Sequence, residues 1–167
     1  ASKGDGVDLV FLGDAFTSKM ISDGLFDQAV NDAVEAFFST APVSGLRDCF
    51  NIYSIAVPSI SSDYFDGSNT AFDCRYRDGT TIKGNDSRCR DYTIGIVSKK
   101  RIDEAVTVVL MNSERYGGTS YLYPPSSGQY GRGWAVSYIP LCSDSEDFTF
   151  LVRHEALGHA FAKLADE

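Results

Sequence analysis

The stretch Ala105-Val106-Thr107-Val108-Val109-Leu110-Met111 carries no charge and a single hydroxyl, and four of its seven side chains are β-branched. Such a run suits a pleated strand and is stable only when buried, so the chain has to build a sheet with something packed over it. Three further apolar runs supply partners. Val7–Leu12 ends at Gly13-Asp14, Phe50–Val57 stops at Pro58, and Trp134–Ile139 follows a Gly/Ser/Tyr/Pro-rich loop over 116–131. Between the first two, Ile21, Leu25, Ala29, Ala33 and Phe37, joined by Phe26, Val30, Val34 and Phe38, recur at helical spacing. That spacing predicts one helix, capped at Thr17-Ser18 and finished before Pro42. A short helix is expected over 93–103. A last one follows Ser143-Asp144-Ser145-Glu146, which has capping-box spacing, and carries Phe148, Leu151, Val152, Ala156, Ala160, Phe161 and Leu164. Strands alternating with amphipathic helices make a mixed α/β domain whose helices pack on a twisted sheet.

The remaining segment, 59–92, is rich in Ser, Asp, Gly, Asn and Arg and reads as a long surface insertion, with a short strand expected around 71–76. Its oxygen-rich Asp63…Asp66-Gly67-Ser68-Asn69…Asp73 offers ligands for a structural Ca2+, though not at EF-hand spacing, and equally suits a solvated acidic loop. No repeat or linker divides the 167 residues, so a single domain over 1–167 is expected. The net charge of −8 argues against nucleic acid or an anionic membrane as partner, and no apolar run is long enough for a membrane span. The four cysteines form no CxxC pair; Cys74 and Cys89 flank a polar loop that a disulfide would close, and four free thiols are the alternative. Ala1–Gly6 holds no apolar signal core, so any secretory signal lies outside this sequence.

The chain has only two histidines, and both stand in the last helix, in His154-Glu155-Ala156-Leu157-Gly158-His159. Two imidazoles with a carboxylate directly after the first are the parts of a zinc hydrolase: neutral nitrogen ligands, and Glu155 as base on metal-bound water. The common HExxH spelling puts its ligands at i and i+4 on one face. Here they are i and i+5, about 140° apart on an ideal α-helix. A local π-bulge, with Gly158 at the distortion, would bring them back together. With no third histidine, the third ligand has to be oxygen or sulfur. Asp166 is the first candidate, seven residues after His159, and Glu167 or a residue beyond the sequence are the alternatives. The plain reading of Asp166 and Glu167 is a pair of solvated carboxylates past a helix end.

The segment His154–Glu167, HEALGHAFAKLADE, resembles the active-site segment of the IgA-peptidase family of zinc metallopeptidases. The resemblance extends in order to VDLVFLGDAFT (7–17), the amphipathic helix after it, RDCFNIYSIAVPS (47–59), NTAF (69–72) and VVLMNSERYGG (108–118). The family's usual motif is HExxH, and the extra residue before Gly158-His159 is similar in spelling to the dipeptidyl peptidase III motif. The resemblance implies a zincin-like, metzincin-type fold: a mixed twisted sheet with a backing helix, and an active-site helix beneath an edge strand that receives substrate by β-addition. It implies one catalytic Zn2+ and a third ligand after the helix. It also implies a secreted, periplasmic or cell-surface location, and a protein or peptide substrate such as an immunoglobulin. It further implies that the family pattern continues past Glu167, so the sequence reads as a piece of a longer protein.

On this reading Glu155 takes the proton of the attacking water and hands it to the leaving amine. Tyr116 is the candidate oxyanion donor by position, and Asn112 and Gly117-Gly118 are candidates for shaping the substrate edge. Phe11–Thr17 resembles the nucleophile block of GDS esterases, but Ala15 stands where the serine would be and no DxxH partner exists, so a strand-to-helix turn with Asp14 or Thr17 near the helix start is expected. The competing function is a secreted surface-binding protein whose zincin fold has lost activity.

Overall fold

The computed structural model describes residues 6–125 and 132–165. Five strands make the main sheet: β1 (Val7–Asp14), β2 (Phe50–Ile55), β5 (Val106–Met111), β6 (Thr119–Leu122) and β7 (Ala135–Pro140), in the spatial order β2-β1-β5-β7-β6. The first four in that order pair parallel, and β6 runs antiparallel to β7 at the edge. A two-stranded ribbon, β3 (Arg75–Tyr76) with β4 (Ile82–Lys83), stands apart.

Because side chains alternate across a strand, the apolar runs feed two cores at once. Leu9, Phe11, Val106, Val108, Leu110, Ala135 and Ile139 face one side, against helix α2 (Leu25–Phe37) and the last helix. Val10, Leu12, Val109, Met111, Val136 and Tyr138 face the other, against α3 (Asp86–Val97) and the ribbon. All six residues of β5 are buried, as its composition demands.

Several expectations need correction. The first helix is not continuous: α1 (Ser18–Ser22) is capped by Thr17, whose hydroxyl accepts from the Met20 N–H at 3.4 Å, and the chain turns at Gly24 (φ 83°) before α2. The helix expected over 93–103 begins earlier, inside the supposed insertion, where Asn85 accepts from the Arg88 N–H at 3.0 Å. Only Cys89, Thr93 and Val97 of α3 are buried, a stripe one residue wide at i, i+4, i+8 that carries little periodic signal. The strand expected near 71–76 is the two-residue β3, and β6 lies in the expected 116–131 loop. Ser143 does not cap the last helix. Asp144 does, accepting from the N–H groups of Glu146 (2.7 Å) and Asp147 (3.2 Å), and a carboxylate there also meets the positive helix end. All four cysteines are free: burial pushes the Cys74 thiol well up and the Cys89 thiol up to about 12, with Cys89 Sγ 3.7 Å from the Tyr138 hydroxyl.

Asp14 is fully buried at the end of β1 rather than at a helix start. Its Oδ1 accepts from the Phe72 N–H at 2.6 Å, and its backbone carbonyl accepts from the Tyr64 hydroxyl at 3.1 Å. Oδ2 has no partner among the described residues. Burial pushes this carboxyl above its ordinary value near 3.8, outweighing the polar groups of Phe72, Cys74, Thr70 and Tyr64 around it. The folded state therefore holds a proton that the unfolded chain releases, and stability falls as pH rises from about 4 through the raised value. Asp14→Asn removes that dependence. Its stability relative to the wild type should rise between pH 4 and pH 7 in urea denaturation, and an unchanged difference would refute the assignment.

Candidate active site

The last helix starts as α4 (Ser145–Leu151) and passes without a break into a ten-residue π-helix, Val152–Phe161. The local bulge expected at Gly158 is thus a whole segment wound i→i+5, and a Cβ on Gly158 would meet only the Arg153 carbonyl at 3.4 Å, an ordinary contact. Val152, Glu155, Ala156 and Ala160 are buried, while His154 is exposed and His159 half-buried. The wider winding returns the second histidine over the first: the two Nε2 atoms lie 3.2 Å apart and the ring centroids 4.6 Å apart, nearly perpendicular.

Both rings are held from outside the pair. Lys163 turns the chain with φ 59°, and the Leu164 carbonyl comes back to 2.8 Å from His159 Nδ1. A carbonyl only accepts, so Nδ1 donates, and on a neutral ring Nε2 then presents its lone pair. Phe150 lies parallel to the His154 ring at 5.6 Å. Two imidazole nitrogens aimed at each other need a proton or a cation between them. Ligands bonded at about 2.0–2.1 Å to a tetrahedral ion stand about 3.3 Å apart, close to the separation observed. The donor set and its outer hydrogen bond fit a borderline cation such as zinc. Asp166 and Glu167 lie outside the described residues, and among the described residues no three His, Cys, Asp or Glu side chains gather around one point.

Glu155 lies against the edge strand and lines the same cleft as the two histidines. It is 6% exposed, and the Ser120 hydroxyl donates to its Oε2 at 2.8 Å. Gly118 leaves the room: a Cβ there would stand 2.9 Å from both Cγ and Oε1 of Glu155. Of the expected edge residues Gly118 is therefore beside the carboxylate, and Gly117 packs on the Thr80 carbonyl, 2.7 Å from where its Cβ would be. Asn112 is elsewhere, its amide donating to the carbonyls of Ala15 (3.3 Å) and Ser62 (3.2 Å). Tyr116 lies on the loop before β6, partly exposed. Its hydroxyl is pushed up by burial and by the charges of Asp147, Cys142 and Glu155, and it does not line the cleft. In the acidic loop, Asp63 accepts from Ser68 at 2.5 Å and Asp73 pairs with Arg88 at 3.1 Å.

A cleft of about 460 Å³ opens over these groups, lined by Thr80, Thr81, Gly118, Thr119, Ser120, Leu122, His154, Glu155, His159, Leu164 and Ala165. Thr80, Thr81 and Ser120 carry no motif and become visible only once the ribbon and β6 are folded against the helix.

The family model of IgA Peptidase M64 matches residues 1–167. The chain belongs to the IgA peptidase M64 family. No curated protein matches it. Membership of peptidase M64 makes this chain a peptide hydrolase, whose substrates are proteins or peptides, and its mixed α/β architecture accords with a zincin-like peptidase fold. Among the described residues no helix is long and apolar enough to cross a membrane.

Proposed function

We propose that this M64 chain is a zinc-dependent endopeptidase acting outside the cytoplasm, with His154, His159 and Asp166 as metal ligands and Glu155 as general base. The observation that carries the reading is the convergence of two imidazole Nε2 atoms at 3.2 Å across a spacing that an α-helix would splay. A zinc ion held there would polarise the scissile carbonyl and acidify a bound water. Glu155 takes up the proton of the attacking water and delivers it to the amine that leaves. The low exposure of Glu155 keeps bulk water from competing for that proton.

The edge strand supplies the means to hold a peptide. The Tyr123 N–H bonds the Trp134 carbonyl at 2.9 Å, so with the period of two, Thr119 and Tyr121 turn their backbone groups to β7 as well. Ser120 and Leu122 then turn theirs outward, beside the cleft. The Gly118 N–H is already taken by the Thr80 carbonyl, at 3.1 Å. An extended substrate laid against Ser120–Leu122 gains main-chain hydrogen bonds there without reference to its sequence.

The test is metal analysis joined to proteolysis of a peptide library read by mass spectrometry. One zinc per chain is expected, with loss of cleavage on chelation, recovery on adding zinc back, and loss of the metal in His154→Ala or His159→Ala. Undiminished cleavage after complete chelation overturns the zinc reading. A chain that binds partners but cleaves nothing in the library, with zinc bound, would instead be a surface-binding protein.

A further inference from the structure

Ser120 and Ser137 face each other across β6 and β7 in a pair whose backbones do not bond, the arrangement that brings opposed side chains closest. Their hydroxyl oxygens are 2.7 Å apart. Ser120 Oγ is also 2.8 Å from Glu155 Oε2 and 3.0 Å from the Glu155 backbone carbonyl, which Ser137 Oγ reaches at 3.2 Å. Each serine has one proton to give. The carboxylate is the stronger acceptor, so Ser120 donates to Oε2, and the fully buried Ser137 donates to Ser120 Oγ or to the Glu155 carbonyl. Two adjacent strands thereby grip one residue of the π-helix at its side chain and at its backbone, while Gly118 leaves the space into which the carboxylate swings.

We propose that Ser120, backed by Ser137, is a positioning residue that fixes the rotamer of the Glu155 carboxylate for proton transfer; this rests on the reading of Glu155 as the base. Ser120 stands on the edge strand of the sheet, where a hydroxyl contributes little to the core. The same strand whose outward backbone groups meet the substrate carries the hydroxyl that aims the base, so one rigid element sets both distances. Misplacing a reacting group by about 1 Å costs on the order of a hundredfold in rate, and loss of the Ser120 proton frees the side chain to turn.

The experiment compares kcat and KM of the zinc-loaded wild type, Ser120→Ala, Ser120→Thr, Glu155→Asp, Glu155→Gln and the double variant Ser120→Ala/Glu155→Asp. Ser120→Ala should lower kcat by roughly ten- to a hundredfold with KM within about twofold and zinc content unchanged. Ser120→Thr, which keeps the hydroxyl, should recover most of the loss. In Glu155→Asp the carboxylate is drawn back out of reach of Ser120, so adding Ser120→Ala should cost much less there than in the wild type. Full kcat in Ser120→Ala, or the same loss in both backgrounds, overturns the proposal. An active Glu155→Gln protein would remove the general base itself, whereas an inactive one beside a fully active Ser120→Ala removes only the positioning role.

Discussion

Glu155→Gln should lower kcat by about 10²–10⁴-fold while zinc content and thermal stability stay near those of the wild type. The amide has nearly the same shape, and its carbonyl oxygen can still accept from Ser120, so the contacts under β6 survive; the basic oxygen does not. A fall in kcat and in kcat/KM by the same factor would mark a group that acts in the transition state. KM should hold, because the proposed docking uses the outward backbone groups of Ser120 and Leu122, which the substitution leaves in place. A Glu155→Gln protein that cleaves at the wild-type rate would end the assignment of Glu155 as the base.

Gly133→Ala should be the most damaging single-methyl change in the described chain. Gly133 has φ 85°, which disfavours any side chain, and a Cβ there would stand 2.0 Å from the Tyr123 carbonyl oxygen, a backbone atom that cannot step aside. Tyr123 is the residue whose N–H closes the β6–β7 ladder on Trp134, so the clash falls on the strand that holds Ser120. Strain and steric overlap together amount to about 2–4 kcal/mol, or roughly 4–16 °C in Tm for a chain of this size. Peptidase activity should fall beyond what unfolding explains, since β6 is displaced even in molecules that fold. Gly95→Ala is the control: Gly95 lies within α3 with nothing near its Cβ position, and alanine there should be neutral or slightly stabilising. Equal melting temperatures for the two variants would show that the Gly133 contact is relieved by a backbone shift.

What could be read in the residues follows from which forces leave a pattern. β5 is visible because burial on both faces leaves no polar position along it, and α2 because one wide face is buried, from Phe26 to Phe37. α3 buries a single row of side chains, and its start depends on one Asn85 cap, so its pattern is drowned by the Arg and Asp residues around it. β6 is four half-exposed residues held by neighbours far away in sequence, and nothing local announces it. At the candidate site, His154, Glu155 and His159 stand out in the sequence because metal-ligand and general-base chemistry draw on few residue types, and the fold brings all three to one cleft. The π-winding was legible only as a local remedy for the spacing; its ten-residue extent depends on packing against β7 and β6. Ser120 and Ser137 were out of reach, because a serine becomes significant only when strand register places it opposite a particular carboxylate.

The parallel sheet also has a kinetic meaning. β1 sits between β2 and β5, and the ladder that seats Leu9 beside Val106 joins segments nearly a hundred residues apart. Closing loops of that length costs entropy before any contact repays it, which places such topologies among slow folders, in the millisecond-to-second range or beyond. Strands as apolar as β1 and β5 are exposed to one another's copies during that interval, and self-association competes with folding. The deeply buried strands that make the native fold firm are thus the segments most in need of dilution, low temperature or a chaperone while the chain is finding its shape.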